Sequence, residues 1–299
     1  MDYFSLIQEA IQFMEDHLLE DISYRDVASH VYLSNYHFQR VFSLITDITP
    51  GEYIRNRRLS LAGQEITLSD VTVGEIAFKY RYESPESFSR AFKRFHGVSP
   101  SIAKKGNAQL NSFNRLVIKL TTEGGTGMNY RIVEKEPFTL IAKVEQFPNE
   151  SIDSADKETN EIADFWDRSN QANVFETLRE HAKTYDVYGA CAPIREDSDY
   201  FDYGIAMEYD GSGVPEGYHL WEVKPTIWAV FPCEGETPDS IGVTWERIFK
   251  EFLPGSDYEM REETDFELYP NEKEEGIFCE VWIPVHKKEN YMSVKGVVQ

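Results

Sequence analysis

The sequence predicts a multidomain protein, in which an all-α domain precedes an α+β domain with an antiparallel sheet. Three observations predict this order. A segment of the first half recurs 50 residues later, and the apolar periodicity changes from helical to alternating near residue 128. The first 107 residues hold 12 Lys and Arg against 14 Asp and Glu, whereas the rest hold 18 against 38. The predicted boundaries are a first domain over 1–107, a linker over 108–127 and a second domain over 128–299.

Length and composition limit the class of protein. The chain has 299 residues, of which 41% are hydrophobic, as is typical of a folded globular protein. No apolar run reaches the roughly 18 residues of a membrane span, and no secretory signal pattern opens the sequence. Cys191, Cys233 and Cys279 are odd in number and far apart, which excludes a disulfide framework and a CxxC metal site. We expect a cytoplasmic protein with no membrane partner, metal or cofactor.

The internal repeat aligns two pairs of helices. Residues 34–42, Ser-Asn-Tyr-His-Phe-Gln-Arg-Val-Phe, lie over residues 84–92, Ser-Pro-Glu-Ser-Phe-Ser-Arg-Ala-Phe, with four of nine positions identical. In each copy, a short helix with apolar periodicity precedes a second helix that a Ser caps. Two such helices joined by a tight turn form a helix-turn-helix. Thr49 followed by Pro50 predicts the start of a further helix between the copies.

Each second helix has a polar stripe opposite its apolar one. Because Phe38 and Phe42 must face the core, we expect the first stripe to face solvent, and its counterpart around Arg90 likewise. Gln and Arg side chains can pair with adenine and guanine edges in the major groove, which favours base recognition by two helices in separate grooves. The alternative is a merely solvated helix face, which the repetition at fixed register disfavours. The stripes are Tyr36, Gln39, Arg40 and Ser43 in the first copy and Glu86, Ser89, Arg90 and Lys93 in the second.

The second copy also carries a family signature. Ile76-Ala77, followed over residues 82–100 by Tyr-Glu-Ser-Pro-Glu-Ser-Phe-Ser-Arg-Ala-Phe-Lys-Arg-Phe-His-Gly-Val-Ser-Pro, closely resembles the signature of the AraC/XylS family of transcription regulators. The resemblance implies two helix-turn-helix units, joined by one long helix, that enter two successive major grooves of double-stranded DNA. The resulting candidate DNA-binding residues are Asn35, Tyr36, Gln39, Arg40, Pro85, Glu86, Ser89, Arg90 and Lys93.

Two features of the second copy are unfavourable for sequence-specific recognition of bases. The family usually has Gly at the turn where this chain has Arg81, and a left-handed backbone there costs a non-Gly residue about 1 kcal/mol. Pro85 and Glu86 donate no hydrogen bond to a base, so we expect this helix to act mainly through Arg90 and through backbone contacts.

The second half alternates strands with helices. Strands, helix, strands, helix and strands predict a duplicated α+β unit with an antiparallel sheet. In the linker, residues 113–120 are apolar enough to form a strand or a short helix. The predicted strands lie near 129–133, 139–144, 185–190, 201–207, 217–223, 226–231, 266–269 and 278–283, and the helices near 162–181 and 240–253.

This half resembles the GyrI-like effector-binding domain. The resemblance is carried by residues 128–133, 228–231, 245–254, 265–269 and 281–285, which read MNYRIV, WAVF, WERIFKEFLP, DFELY and VWIPV. It implies a cleft between two repeats that binds small molecules, often lipophilic cations, with a buried Glu at the position of Glu267. Trp228 stands where the family more often has Tyr.

The residues around Glu267 support a ligand site independently. Strand alternation places Phe266 and Leu268 on one face, and Glu267 with Asp265 and Tyr269 on the other. A carboxylate among aromatic rings attracts an organic cation by charge pairing and by cation–π contact. The alternatives are a solvated carboxylate and ordinary core aromatics. The candidate ligand-binding residues are Glu267, Tyr269, Trp282, Trp228, Tyr203 and Trp166.

These observations predict a sequence-specific DNA-binding transcription regulator that responds to a small lipophilic ligand, with a cation as one option. The AraC/XylS resemblance implies an activator that contacts RNA polymerase. Two recognition units in one chain allow it to act as a monomer or weak dimer. No phosphate loop, HExxH or GxSxG motif is present, so we expect no enzyme activity and name no catalytic residue. The alternative is a protein that sequesters or hydrolyses small molecules and keeps a vestigial DNA-binding half.

Overall fold

A computed structural model describes residues 3–106, 108–119, 127–148, 161–192 and 200–288. Its contacts divide the chain into two compact units, a helical unit and a sheet unit, with the boundary between residues 119 and 127. Within the described ranges, no helix combines the length and the apolar character that crossing a membrane requires. Nor does any group of three or more His, Cys, Asp or Glu side chains there form a possible metal site.

The helical unit contains two helix-turn-helix copies around one long helix. The first copy is α2 and α3, the second is α5 and α6, and α4 joins them, as predicted. The helices are α1 (Tyr3–Asp16), α2 (Tyr24–His30), α3 (Asn35–Thr46), α4 (Pro50–Leu68), α5 (Val73–Lys79), α6 (Pro85–His96) and α7 (Pro100–Ala103).

The turn between the two helices has the same backbone in both copies. Tyr32 and Arg81 each lie two residues after the first helix and have positive φ values of 57° and 66°. The next amide, that of Leu33 or Tyr82, donates to a carbonyl of the preceding helix at 3.0 or 2.9 Å. This arrangement is a common way to end a helix. Arg81 therefore keeps the left-handed conformation despite its cost, so the turn is not reshaped relative to the first copy, which also has this conformation at a non-Gly residue.

A serine begins the second helix of each copy, as predicted. The Ser34 hydroxyl accepts a hydrogen bond from the His37 amide at 3.3 Å. Ser84 accepts from the Ser87 amide at 3.1 Å, and the Ser87 hydroxyl accepts in return from the Ser84 amide at 3.3 Å. The second cap is therefore the more complete of the two, because it satisfies two backbone donors reciprocally.

Residues 108–119 form an extended segment, which we call the strap, that lies on the helical unit. The expected strand or short helix over 113–120 is absent from the described part of that range. The Phe113 amide donates to the Ser60 hydroxyl at 3.0 Å, and the Phe113 carbonyl accepts from Arg57 at 2.6 Å. Side chains of α4 thus satisfy the backbone groups that a strand or helix would otherwise pair.

In the described residues, the sheet unit is one antiparallel sheet of nine strands with helices packed on it. The strands are β1 (Arg131–Lys135), β2 (Phe138–Pro148), β3 (Val187–Cys191), β4 (Tyr200–Glu208), β5 (His219–Val223), β6 (Thr226–Glu234), β7 (Tyr258–Met260), β8 (Asp265–Tyr269) and β9 (Ile277–Lys287). The helices are α8 (Glu161–Gln171), α9 (Val174–Arg179), α10 (Asp239–Arg247) and α11 (Leu253–Gly255), with a π-helical turn (Ile248–Phe252) between the last two.

Eight of these strands were predicted, and β7 was not. The single helix predicted near 162–181 is two helices, because Asn173 adopts a left-handed conformation with φ of 56° between them. A three-residue strand such as β7 is too short to show a clear alternation.

The strand order confirms two repeats. The order is β1-β6-β9-β8-β3-β4-β2-β5, with β7 pairing with β9 outside this path. Strand β1 pairs with β6 of the second repeat, and β5 pairs with β2 of the first, so the first strand of each repeat extends the sheet of the other. The repeats meet where β3 pairs with β8, and there Gly189 lies directly opposite Glu267. These two residues hold equivalent positions in the two repeats.

The two faces of the sheet bury different groups. One face carries an aromatic core, which we define as Phe138, Tyr188, Trp228, Phe266 and Trp282. The other face is covered in part by α8 and α10, and Glu267 lies on it, because successive residues of β8 point to opposite sides.

Candidate functional site

Glu267 lies in the middle of β8, at the junction of the two repeats, and is half-buried. The indole Nε1 of Trp245, on α10, lies 3.4 Å from Glu267 Oε1 and donates to it. A Cβ added at Gly189 would collide with the Tyr203 hydroxyl and lie 3.0 Å from Glu267 Oε2. The missing side chain of Gly189 therefore provides the space that the carboxylate and the phenol occupy.

Aromatic side chains from both repeats surround this carboxylate. Trp166 Nε1, on α8, donates to the Tyr203 hydroxyl at 3.0 Å, and the Trp166 ring lies 5.0 Å from the Tyr269 ring. Tyr203 is buried, whereas Trp166 and Tyr269 are partly exposed. The structure thus brings together four of the six predicted ligand residues. With Trp245 they form the group that we call the carboxylate cleft: Trp166, Tyr203, Trp245, Glu267 and Tyr269.

The electrostatics of the carboxylate cleft keep its phenols neutral. Burial, and then the negative charge of Glu267, raise the pKa of Tyr203 and of Tyr269 well above the ordinary value. Both hydroxyls therefore stay protonated near neutral pH and can donate hydrogen bonds. A half-buried carboxylate beside neutral aromatic groups is suited to an organic cation, which gains charge pairing and ring contact at once.

Trp245 was not among the predicted ligand residues. In the sequence, its segment supported only the family resemblance, and the helical pattern around it predicts a core position. Trp245 is indeed buried, at 4% exposed. Its contact with Glu267 joins residues 22 positions apart, and no local pattern reveals such a contact.

Two predicted ligand residues lie on the other face of the sheet. Trp282 pairs directly with Phe266, and their rings stack with centroids 5.6 Å apart. Trp228 is 1% exposed, and its ring lies 4.8 Å from the Phe266 ring. Since Phe266 and Glu267 are adjacent on one strand, groups that pack on Phe266 do not line the carboxylate cleft. The prediction that Trp228 and Trp282 share a site with Glu267 is therefore wrong.

Two cationic side chains of the sheet unit already lie close to the Trp282 ring. The Arg131 guanidinium lies 5.5 Å from its centroid, and the Lys135 ammonium lies 5.8 Å from it. The indole Nε1 donates to Glu280 at 3.0 Å, and Glu280 in turn pairs with Arg131 at 2.7 Å. Trp282 is therefore part of an internal ion-pair network.

The polar stripe of the second copy faces solvent, as predicted. Glu86, Arg90 and Lys93 are exposed, whereas Pro85 and Ser89 are partly exposed. The Ser89 hydroxyl donates to the Pro85 carbonyl at 2.7 Å, so its proton is used within the helix. Arg90 and Lys93 are consequently the cationic donors that this stripe presents to a partner.

The polar stripe of the first copy does not face solvent. Tyr36, Gln39 and Arg40 are 4%, 3% and 6% exposed, and Asn35 and Ser43 are also buried. The Arg40 guanidinium donates to the Tyr36 hydroxyl at 3.1 Å and lies 5.6 Å from its ring centroid. The prediction of a solvent-facing stripe is therefore wrong for this copy. Helical periodicity identifies one buried face of a helix, but it does not determine whether the opposite face is also buried.

Family models match both units. The model of integron-associated effector binding proteins, named Cass2, matches residues 131–285, which is more than half of the chain. The model of a helix-turn-helix domain matches residues 27–106.

Curated relatives match the helical unit. The transcriptional activator AarP of Providencia stuartii is 36% identical over 107 residues, which are 36% of this chain and 79% of AarP. The regulatory protein SoxS of Salmonella typhimurium is 35% identical over 101 residues, which are 34% of this chain and 94% of SoxS. The transcriptional regulator Rob of the same species is 33% identical over 107 residues, which are 37% of Rob.

Solved structures match the sheet unit. SAV2435, bound to tetraphenylphosphonium, is 22% identical, covers 53% of this chain and 94% of its own, and has a TM-score of 0.45. The integron cassette protein VCH_CASS2 of Vibrio cholerae is 21% identical, covers 52% and 95%, and has a TM-score of 0.41. Because the Cass2 model matches more than half of the chain, the chain belongs to the integron-associated effector binding protein family, and it joins this GyrI-like effector-binding domain to an AraC-type helix-turn-helix domain, as in the AraC-family transcription regulators.

Proposed function

We propose that this DNA-binding transcription regulator is an activator whose occupancy of DNA responds to a small lipophilic cation bound in the carboxylate cleft. The observation that carries the ligand is the position of Glu267. Its carboxylate is half-buried, faces Gly189 across the sheet, and lies beside rings that remain neutral. Partial burial raises the free energy of a charged carboxylate, so a cation that pairs with it gains affinity.

The shape of the cleft favours a flat or branched aromatic cation. Trp166 and Tyr269 form a corner with ring centroids 5.0 Å apart and planes inclined by 58°. Rings of a ligand can pack on these two surfaces while its charge approaches Glu267. Tetraphenylphosphonium is a suitable probe because it combines one positive charge with four aromatic rings.

The ligand can regulate DNA binding only through unequal affinity. A ligand that binds the DNA-competent and DNA-incompetent arrangements of the chain equally well changes nothing, however tightly it binds. By linkage, any effect of the ligand on DNA affinity equals the effect of DNA on ligand affinity. Titrating the probe with and without operator DNA therefore measures the coupling from both directions.

Base recognition is assigned to the exposed Arg90 and Lys93, and to Gln39 and Arg40 once they are uncovered. The Gln39 amide nitrogen is buried and has no hydrogen-bond partner among the described residues. The Arg40 guanidinium must leave the Tyr36 hydroxyl before it can reach a base edge. We infer that the second copy makes the first contact with DNA and that the first copy follows after its stripe is exposed.

A mobility-shift assay tests the DNA-binding surface. Arg90→Ala and Arg40→Ala should each weaken the specific complex by about 1–3 kcal/mol if each lost contact is to a base. Lys105→Ala, an exposed cation outside both stripes, is the matched control. If the wild-type protein forms no sequence-specific complex, the alternative of a sequestering or hydrolysing protein with a vestigial DNA-binding half is favoured.

Calorimetry with tetraphenylphosphonium tests the carboxylate cleft. Glu267→Gln keeps the size of the side chain but removes its charge, and should lower the affinity at least about tenfold, or 1.4 kcal/mol. Glu222→Gln, at an exposed position on β5, controls for the loss of one negative charge from an acidic domain. Equal affinities in both variants would remove Glu267 from the site, and chemical conversion of a bound ester would favour the hydrolytic alternative.

Transcription in vitro tests the activator role. With purified RNA polymerase and a promoter that carries the selected site, added protein should increase the amount of transcript, and a decrease would instead identify a repressor. Sedimentation of the protein with a labelled duplex distinguishes one chain per site from two. We propose a monomer or weak dimer, because each chain already carries two recognition helices.

A further inference from the structure

The strap, residues 108–119, is attached at its beginning to the second helix-turn-helix copy. The Asn111 side-chain amide donates to the Phe95 carbonyl on α6 at 2.6 Å. Leu110 packs on the apolar core of that copy. A Cβ added at Gly63 of α4 would lie 3.3 Å from Leu110 Cδ1, so the strap lies close against α4 at this point.

The middle of the strap is held on α4 by Phe113. Its amide donates to Ser60 Oγ at 3.0 Å, and its carbonyl accepts from Arg57 Nη1 at 2.6 Å. Its ring meets the Tyr53 ring edge-on, with centroids 5.9 Å apart. Both backbone groups and the side chain of this one residue are therefore engaged, which fixes its place along α4.

The same arginine that holds the strap also holds α1, which packs on the first copy. Arg57 donates to both oxygens of Glu15 on α1, at 2.7 and 2.8 Å, and the Tyr53 hydroxyl donates to Glu15 at 2.7 Å. The Glu15 and Arg57 side chains are only 13% and 12% exposed. Further along the strap, Arg115 donates to Gln12 on α1 at 2.8 Å. The strap thus reaches from the second copy, along α4, to α1, which in turn packs on the first copy.

We propose that the strap determines the spacing between the two DNA half-sites that the protein reads, because it fixes the angle between α4 and the first copy. The inference rests on the proposed binding of both copies to one duplex. One additional base pair moves a half-site by about 3.4 Å along the axis and rotates it by roughly 35°. Two recognition helices can discriminate such a step only if the joint between them is held to less than that displacement.

A DNA-binding experiment tests the half-site role. The preferred site is first selected from random duplexes with the full-length wild-type protein, and versions with one base pair added or removed between the half-sites are then compared. The wild type should lose at least about tenfold in affinity on both altered sites. Phe113→Ala should bind the selected site about tenfold more weakly and should prefer it less than about threefold over the altered sites. Val117→Ala, 69% exposed in the same strap, should behave as the wild type.

Two outcomes of this experiment would overturn the inference. Uniform weakening of Phe113→Ala at all three spacings, with the preference intact, would mean that the strap only stabilises the fold. An unchanged Phe113→Ala would mean that α4 alone holds the copies. Ser60→Ala, which removes one hydrogen bond and no apolar surface, provides a milder second variant in case Phe113→Ala unfolds.

A measurement without DNA separates this inference from the proposed function. Spin labels at Ser29→Cys on α2 and Arg94→Cys on α6 report the distance between the copies, and the three native cysteines are buried. The wild type should give one narrow distance distribution, and Phe113→Ala a broad one. A specific wild-type DNA complex with unchanged distances in Phe113→Ala overturns the role of the strap alone. Absence of any specific wild-type complex overturns the proposed function, and with it the half-site role.

Discussion

The two duplications in this chain have had opposite outcomes. In the helical unit, both copies retain the same turn, with positive φ at Tyr32 and at Arg81, and the same serine cap. In the sheet unit, the equivalent central residues are Gly189 and Glu267, which have nothing in common as side chains. The helical copies are separated by α4, so each can keep its own turn and its own serine cap. The sheet copies meet at one place, where one side chain has to be absent for the other to fit.

The largest expected effect is a pH dependence of the free energy of unfolding that arises in the first helical copy and not in the second. His37 occupies the third position of α3, where the second copy has Ser87. Burial, with a smaller contribution from the charge of Arg40, lowers the pKa of His37 from 6.5 to about 3. Between these values the unfolded chain binds a proton that the folded chain does not, so the free energy of unfolding falls by about 1.4 kcal/mol per pH unit as the pH falls.

Urea unfolding at pH 7, 5.5 and 4 measures this loss, which should reach roughly 3 kcal/mol by pH 4. His37→Gln should remove this part of the pH dependence, whereas Ser87→Ala should leave it in place. Parallel stability curves for the wild type and His37→Gln would show that His37 does not distinguish the copies.

The next effect concerns the junction in the sheet unit. Gly189→Ala places a methyl group against the Tyr203 hydroxyl and Glu267 Oε2, which should destabilise the unit by about 1–3 kcal/mol and lower tetraphenylphosphonium affinity at least about tenfold. Gly242→Ala on α10 is the matched control, because nothing lies within 4 Å of its added Cβ. It should be neutral, or stabilise by about 0.5–1 kcal/mol. Unfolding curves and calorimetry check both variants. Intact binding in Gly189→Ala would show that Glu267 and Tyr203 do not need the space at Gly189.

The serine caps give a smaller difference between the helical copies. Ser84→Ala removes the hydrogen bond of 3.1 Å that the Ser84 hydroxyl accepts from the Ser87 amide, and should cost about 1 kcal/mol of unfolding free energy. Ser34→Ala removes one longer bond, 3.3 Å to the His37 amide, and should cost less. Denaturant unfolding of the two variants side by side tests this order. A greater cost for Ser34→Ala would show that the first cap is the stronger one.

The smallest effect concerns the left-handed turns. Tyr32→Gly should stabilise the helical unit by about 0.5 kcal/mol, because Tyr32 has φ of 57° and is 90% exposed. Arg81→Gly relieves the same strain but loses a hydrogen bond of 2.6 Å from Arg81 to the Leu19 carbonyl, so its net effect should be near zero. Thermal unfolding of both variants measures the difference between the two changes in stability. Equal stabilisation by Tyr32→Gly and Arg81→Gly would show that the Arg81 hydrogen bond contributes nothing.

The sequence predicts features that are set by neighbouring residues. A Ser or Thr before Pro is enough to predict where α4 and α6 begin, because a cap is formed within one turn. Strand alternation is enough to place Glu267 and Tyr269 on one face of β8, as observed. In both cases the pattern and its cause lie within a few residues.

Features that depend on distant residues could not be predicted. Trp228 and Trp282 lie on the face opposite Glu267 because of the pairing of β6, β9 and β8, and alternation within one strand does not give that register. The backbone of Phe113 is held by Ser60 and Arg57, which lie more than 50 positions away from it in sequence. The burial of the polar stripe of the first copy likewise has no signal in the helical period of α3.

The meeting of Gly189 with Glu267 has a consequence for stoichiometry. A duplicated domain can carry two ligand sites, but both repeats contribute to the single β3–β8 junction of the described residues, so a ligand that binds there as proposed would have one site per chain. Each molecule of this regulator should therefore take up a single effector, and its response should follow a simple hyperbola rather than a sigmoid. Any cooperativity in a titration would then have to arise between chains.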